Sequence, residues 1–198
     1  MDRWTYNLLK GPTKDNTFLI VTGYQTGVQS GTPGRKTAWS QQQTMLLKEQ
    51  RTEKPHEAFY VDLTQWLRQY KTNQMEIFIS LDANEQWDDQ AKIKLFADKL
   101  DLLNINHECN IVETHPNMAN STRSTTIDYC LGSPRVVENI VYASSAPYDM
   151  ETLGDHRGII LDINTSILLG EIPQTEDIRT RKLVLSNPKA VKKYLDFV

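Results

Sequence analysis

Hydrophobic and polar positions change their period several times along the chain. Residues 3–10, Arg-Trp-Thr-Tyr-Asn-Leu-Leu-Lys, alternate closely enough for a strand. Gly11-Pro12 and Asp15-Asn16 mark a turn, and residues 17–24, Thr-Phe-Leu-Ile-Val-Thr-Gly-Tyr, read as a more buried strand. The two form a predicted hairpin. A polar, Gly-bearing loop follows over 25–34, long for a compact domain. Residues 35–50 read as a helix with Ala38, Trp39, Met45 and Leu46 on one side and Gln42 interrupting that stripe. Pro55 is placed to start a second helix, whose Phe59, Leu63, Trp66 and Tyr70 have the spacing of a buried face. A short apolar strand is predicted over 76–82. Asp88 or Asp89 is a candidate cap for the next helix, with an inner stripe of Ile93, Phe96, Leu100 and Leu103.

Residues 104–126 are polar and irregular, and His107 and His115 are expected at the surface. Residues 127–131 read as a strand ended by Gly132-Ser133-Pro134, and 136–143 as another. A loop over 144–153 precedes a last apolar strand, 159–163. Leu168-Leu169-Gly170 is placed to dock on the body, and Asn187-Pro188 to open a helix running through Tyr194.

Composition adds bounds. The chain has 198 residues, 39% hydrophobic and 24% charged, enough for one domain with a substantial core. No stretch is long and apolar enough to span a membrane, and none has the order of a signal peptide. No membrane partner is expected. An intracellular protein is, with the nucleus open to it. Cys109 and Cys130 have neither metal spacing nor a disulfide framework, and Cys130 reads as a core residue. The net charge of −3 is unevenly spread: residues 73–163 carry six Lys/Arg against fifteen Asp/Glu, whereas 164–198 carry six against four. An acidic cluster repels phosphate unless a cation sits in it. That middle region therefore suits a metal-dependent site, although a solvated acidic surface has the same charge.

The 76–82 strand ends abruptly in Asp82-Ala83-Asn84. Two polar residues two apart point to one face of the chain, at the strand end where open sheets keep their chemistry. A turn also accounts for Asp and Asn here. Other strands add further groups. Tyr24 closes the second strand, Asp128 lies early in its own, and Asp155-His156 precedes the last. Together they supply the parts of a phosphoester hydrolase. Asp82 could orient or deprotonate a water. Asn84, Tyr24 and protonated His156 could face the phosphoryl oxygens. Asp128 could hold His156 in one tautomer, leaving Asp155 to face a divalent cation such as Mg²⁺.

In their order, these motifs resemble the endonuclease/exonuclease/phosphatase superfamily, the fold of DNase-I-like nucleases and exonuclease-III-type apurinic endonucleases. Val21-Thr22-Gly23-Tyr24 resembles that family's strand ending in a phosphate-contacting Tyr. Leu81-Asp82-Ala83-Asn84 resembles its Gly-Asp-x-Asn motif, with Leu for Gly. Thr126-Ile127-Asp128-Tyr129 resembles its Ile-Asp-Tyr strand, and Gly154-Asp155-His156-Arg157 its Ser-Asp-His-Arg motif, with Gly for Ser. The Trp-bearing first strand, the Gln41-Gln42 helix and a tail with Arg-x-Leu, Asn-Pro and Tyr also look like endonuclease domains of non-LTR retroelements.

The resemblance implies an α+β fold, a DNase-I-like four-layer α/β/β/α sandwich, and Mg²⁺- or Mn²⁺-dependent hydrolysis of DNA. In those roles Asp82 activates water and Asn84 and Tyr24 contact the phosphate. His156, held by Asp128, stabilises the transition state, and Asp155 is a metal-side carboxylate. A downstream reverse-transcriptase region is an implied partner. The family's first-strand Asn and its metal-binding Glu have no counterpart in the 23 residues before Tyr24. The expectation is therefore a domain over 1–163 that lacks its first strands, followed by a basic extension over 164–198 with a short helix. Its activity is expected to be weakened or absent. Two other readings stand beside this one: a catalytically dead nucleic-acid-binding module, and a phosphatase of a small phosphoester.

Overall fold

The computed structural model describes residues 3–13, 16–27, 34, 36–71, 75–111, 126–146, 156–171, 189 and 192. Among these the chain order is β1 (Trp4–Lys10), β2 (Thr17–Tyr24), α1 (Ala38–Lys48), α2 (Pro55–Lys71), β3 (Glu76–Asp82) and α3 (Lys92–Lys99). Then come β4 (Leu103–Asn104), α4 (Ile105–Glu108), β5 (Asp128–Gly132), α5 (Pro134–Glu138), β6 (Ile140–Ser145), β7 (Ile159–Ile163) and α6 (Thr165–Leu169). One sheet has the order β1-β2-β3-β5-β4; β6 and β7 form a second, antiparallel pair. The fold is α+β, as expected.

The predicted hairpin forms, with Leu8 opposite Leu19. β2 and β3 run parallel, joined through the α1–α2 crossover, and β3 meets β5 antiparallel. Alternation along these strands sorts their side chains onto two faces. Leu19, Val21, Ile77, Ile79, Leu81, Tyr129 and Leu131 lie on one face and pack with Phe59 and Leu63 of α2 and Ile93 and Phe96 of α3. Gly23 continues that face. A Cβ there would come within 3.2 Å of Leu81 and 3.3 Å of Phe59, so the absence of a side chain lets α2 sit close to the sheet.

The other face is looser. Phe18, Val136, Leu168 and Leu169 form a small cluster, with half-buried Ile20, Phe78 and Ile163 against it. Ile159, Leu161 and Ile163 of β7 look across a cleft of about 480 Å³ at Phe18, Ile20 and Phe78. Helices, sheet and second sheet give three of the expected layers among the described residues. Leu168 and Leu169 dock here as expected. Gly11 permits it, since a Cβ would lie 1.9 Å from the Leu169 carbonyl oxygen, which accepts instead from the Asn16 amide at 3.0 Å.

Four local expectations are corrected. Gln42 does not interrupt the α1 stripe: it is buried with Leu46, while Met45 is exposed. Val136 and Val137 lie in α5, not in a strand. Pro134 at the first helical position fixes the backbone for a turn of helix, and this overrides the β preference of two valines. α3 is not capped by Asp88 or Asp89. Asp88 accepts from the Gln90 N–H at 2.8 Å, and the Glu85 carboxylate accepts from Lys92 N at 3.1 Å and Ile93 N at 3.2 Å. Leu103 leaves the helical stripe because α3 ends at Lys99, and it is exposed in β4. His107 is exposed as expected; His115, the 144–153 loop beyond Ala146 and most of the basic tail lie outside the described residues.

The two faces differ in what they contribute to stability. Leu63→Ala, in the dense helix-side core, is expected to lower unfolding free energy by about 2–5 kcal/mol. Ile20→Ala, on the cleft side, is expected to lower it by about 1 kcal/mol or less. Urea unfolding of both variants checks this, and equal losses would contradict the packing described.

Candidate active site

Strand register builds the site. Tyr24 ends β2 beside Asp82 at the end of β3, and Asp82 lies opposite Asp128 at the start of β5. Neighbours in register share a face, so Tyr24, Asp82 and Asp128 form one polar row across three strands. The row lies at the end of the cleft face, beyond Ile20 and Phe78. Leu81 and Tyr129, next to the two carboxylates, point the other way into the core.

His156 joins the row from just before β7. Its Nδ1 lies 2.7 Å from Asp128 Oδ2. An ionised carboxylate only accepts, so the imidazole Nδ1–H is the donor. Both groups are half-buried, with Asp128 19% and His156 35% exposed. One ligand atom from each of Asp82, Asp128 and His156 lies within 4.8 Å of the others. Two carboxylates and an imidazole at this spacing are a donor set that fits a divalent cation. Asp155, the metal ligand expected from sequence, lies outside the described residues.

Burial and then the neighbouring Asp128 charge push the Asp82 carboxyl above its usual range, against a smaller opposing pull from His156 and Asn84. Burial, followed by the Asp82 charge, also raises the Tyr24 hydroxyl, which keeps it a proton donor at neutral pH. Tyr24 is 49% exposed and so is open to a ligand.

Asn84 turns the chain away from β3 with φ 49°, a left-handed conformation that Asn tolerates. Its N–H donates to Asp82 Oδ1 at 3.2 Å and its side-chain amide to the Gln25 carbonyl at 2.8 Å. The turn is therefore tied to both adjacent strand ends. Glu85 anchors it from behind. Besides capping α3, its carboxylate accepts from the Tyr60 hydroxyl at 2.5 Å. Sequence reading did not single out Glu85 or Gln25. Their contributions are non-local: a cap reaching seven and eight residues ahead, and a backbone carbonyl.

No family model matches the sequence, and no curated protein does. Solved structures are similar in fold. The endonuclease domain of TRAS1, a telomere-specific non-LTR retrotransposon, superposes with a TM-score of 0.50 at 14% identity, over 80% of this chain and 69% of that one. The 3′ phosphatase NExo from Neisseria, bound to a product DNA hairpin, gives a TM-score of 0.51 at 12% identity, over 81% of this chain and 70% of that one. The chain has the DNase-I-like fold of the endonuclease/exonuclease/phosphatase structures.

Proposed function

We propose that this protein hydrolyses phosphodiester bonds of DNA with a divalent metal ion, as an endonuclease of the retroelement type. The observation that carries the reading is the single row of Tyr24, Asp82 and Asp128, with His156 hydrogen-bonded to Asp128 at its end. Four polar side chains that sequence alone connects only loosely converge where one phosphate could touch them. The retrotransposon endonuclease domain and the DNA-bound 3′ phosphatase among the similar structures support DNA as the substrate; a downstream reverse-transcriptase region belongs to the same proposal.

In this reading Asp82 takes or orients the proton of the attacking water, and its raised carboxyl makes it a better base than an ordinary Asp. Tyr24 donates to a phosphoryl oxygen. Asn84 holds the phosphate with the amide proton not committed to Gln25. His156, fixed by Asp128, presents Nε2–H to the charge that builds on the phosphoryl group. With His156 protonated in that role, the Asp82 and Asp128 carboxylates are the described groups that would hold Mg²⁺ or Mn²⁺, with Asp155 a further carboxylate next to His156 in sequence. When bound, the ion neutralises phosphoryl charge as a Lewis acid.

The test is nicking of supercoiled plasmid. Weak activity with Mg²⁺ or Mn²⁺ and none with EDTA is expected. Asp82→Asn and His156→Ala should each lower the rate about 10²–10⁴-fold. Salt-dependent DNA binding without cleavage under any divalent ion would instead favour a non-catalytic binding module. A second substrate is motivated by the 3′ phosphatase bound to DNA. Release of phosphate from a 3′-phosphorylated hairpin, faster than nicking, would move the reading to a DNA phosphomonoesterase.

Asp82 should also weaken the fold. The folded-state carboxyl of Asp82 is raised, so its contribution to stability is full below the ordinary carboxylate range and is lost as pH rises through the folded value. Asp82→Asn in EDTA is therefore expected to melt a few degrees higher than the unmodified protein at pH 7–8, with the gap closing on acidification. A lower melting temperature at neutral pH would contradict this.

A further inference from the structure

Away from the row, α2 and α3 enclose an open groove of about 510 Å³ on the outer surface of the helix layer. Its floor is apolar. Phe96 and Tyr60 are buried there, while Val61 and Leu95 remain 53% and 46% exposed. Two exposed aliphatic side chains lining one groove mark a surface suited to a partner. The charges around the floor are biased. At one end Lys92 pairs with Glu57 at 2.9 Å. Arg68 and Lys99 also line the groove, and neither makes an ion pair with a described residue. The rim is therefore net positive around an apolar strip.

We propose that this groove binds an acidic amphipathic helix of a partner protein. Leucine-like side chains on one face of that helix would cover Val61 and Leu95, and flanking carboxylates would meet Arg68 and Lys99. A helix suits the site because it satisfies its own backbone, and no sheet edge lies in the groove to pair with a strand. A nucleic-acid backbone would match the two cations but leave the apolar floor uncovered and meet the Glu57 carboxylate. A second copy of the same groove would oppose cation to cation. The chain's own region beyond residue 178 carries Arg179, Arg181, Lys182, Lys189, Lys192 and Lys193, and would meet the rim with like charge.

The test uses a fluorescent, helix-stabilised peptide with leucines along one face and glutamates flanking them. A lysine-flanked version and a version with scattered leucines serve as controls. Saturable binding is expected for the acidic amphipathic peptide alone, stronger at low salt. Leu95→Glu should weaken it about tenfold or more, and so should Arg68→Glu with Lys99→Glu. These side chains are at the surface, so circular dichroism should show each variant folded; Tyr142→Ala, on the distant β6, should leave binding unchanged. Three results would each overturn the proposal: no saturable binding, binding indifferent to these substitutions, and equal binding of the lysine-flanked peptide. Displacement of the peptide by duplex DNA, with loss of DNA affinity in the charge-reversal variant, would assign the groove to nucleic acid instead.

Discussion

Everything at the candidate site depends on two carboxylates held opposite each other across β3 and β5. Asp82 and Asp128 are cross-strand neighbours, and like charges in that relation destabilise a sheet. The structure counters the repulsion locally. Asp128 is bound to the His156 imidazole, and Asp82 accepts the Asn84 N–H. The balance is incomplete, because the Asp82 carboxyl still lies above its ordinary range. A carboxyl that opposes folding and sits at a strand end beside other polar groups is a candidate for chemistry.

The opposite face of the same strands supplies what holds this pair in place. Ile79, Leu81, Tyr129 and Leu131 alternate with the polar row and are buried under α2 and α3. A slip of one residue would carry Asp82 into that core and Leu81 into solvent, a change that excludes itself energetically. The turn after β3 is fixed in the same manner. Glu85 ties it to Tyr60 and to the first N–H groups of α3, so the helix that packs on the sheet also restrains the loop carrying Asn84. Dense packing on one face thus positions polar groups on the other, where the cleft between the two sheets is filled more loosely.

Much of this was legible along the chain, and the reasons differ by element. β2, β3 and β7 carry short apolar runs closed by polar residues, and α2 combines an N1 proline with a long apolar face. Local pattern and tertiary role agree there. They disagree in three places. Val136 and Val137 favour a strand, but Pro134 sets a helical turn that buries Val136 beside Phe18. Asp88 has the chemistry of a cap, yet Glu85 reaches the helix start first through the fold. Gln42 reads as a break in an apolar stripe, whereas α1 buries it and turns Met45 outward.

The site divides along the same line. Strand ends announce Tyr24, Asp82 and Asn84, because an apolar period that stops at a polar residue is visible in one dimension. That Asp128 faces Asp82 is not visible in that way. It requires β5 to enter antiparallel beside β3, with its partner β2 on the other side running parallel to β3. Only that arrangement places two residues forty-six positions apart in one row with Tyr24, and leaves His156 within hydrogen-bond reach of its end. The chemistry open to the residues can be read from their types, but their convergence is a property of register, and register is settled by which apolar side chains each strand buries.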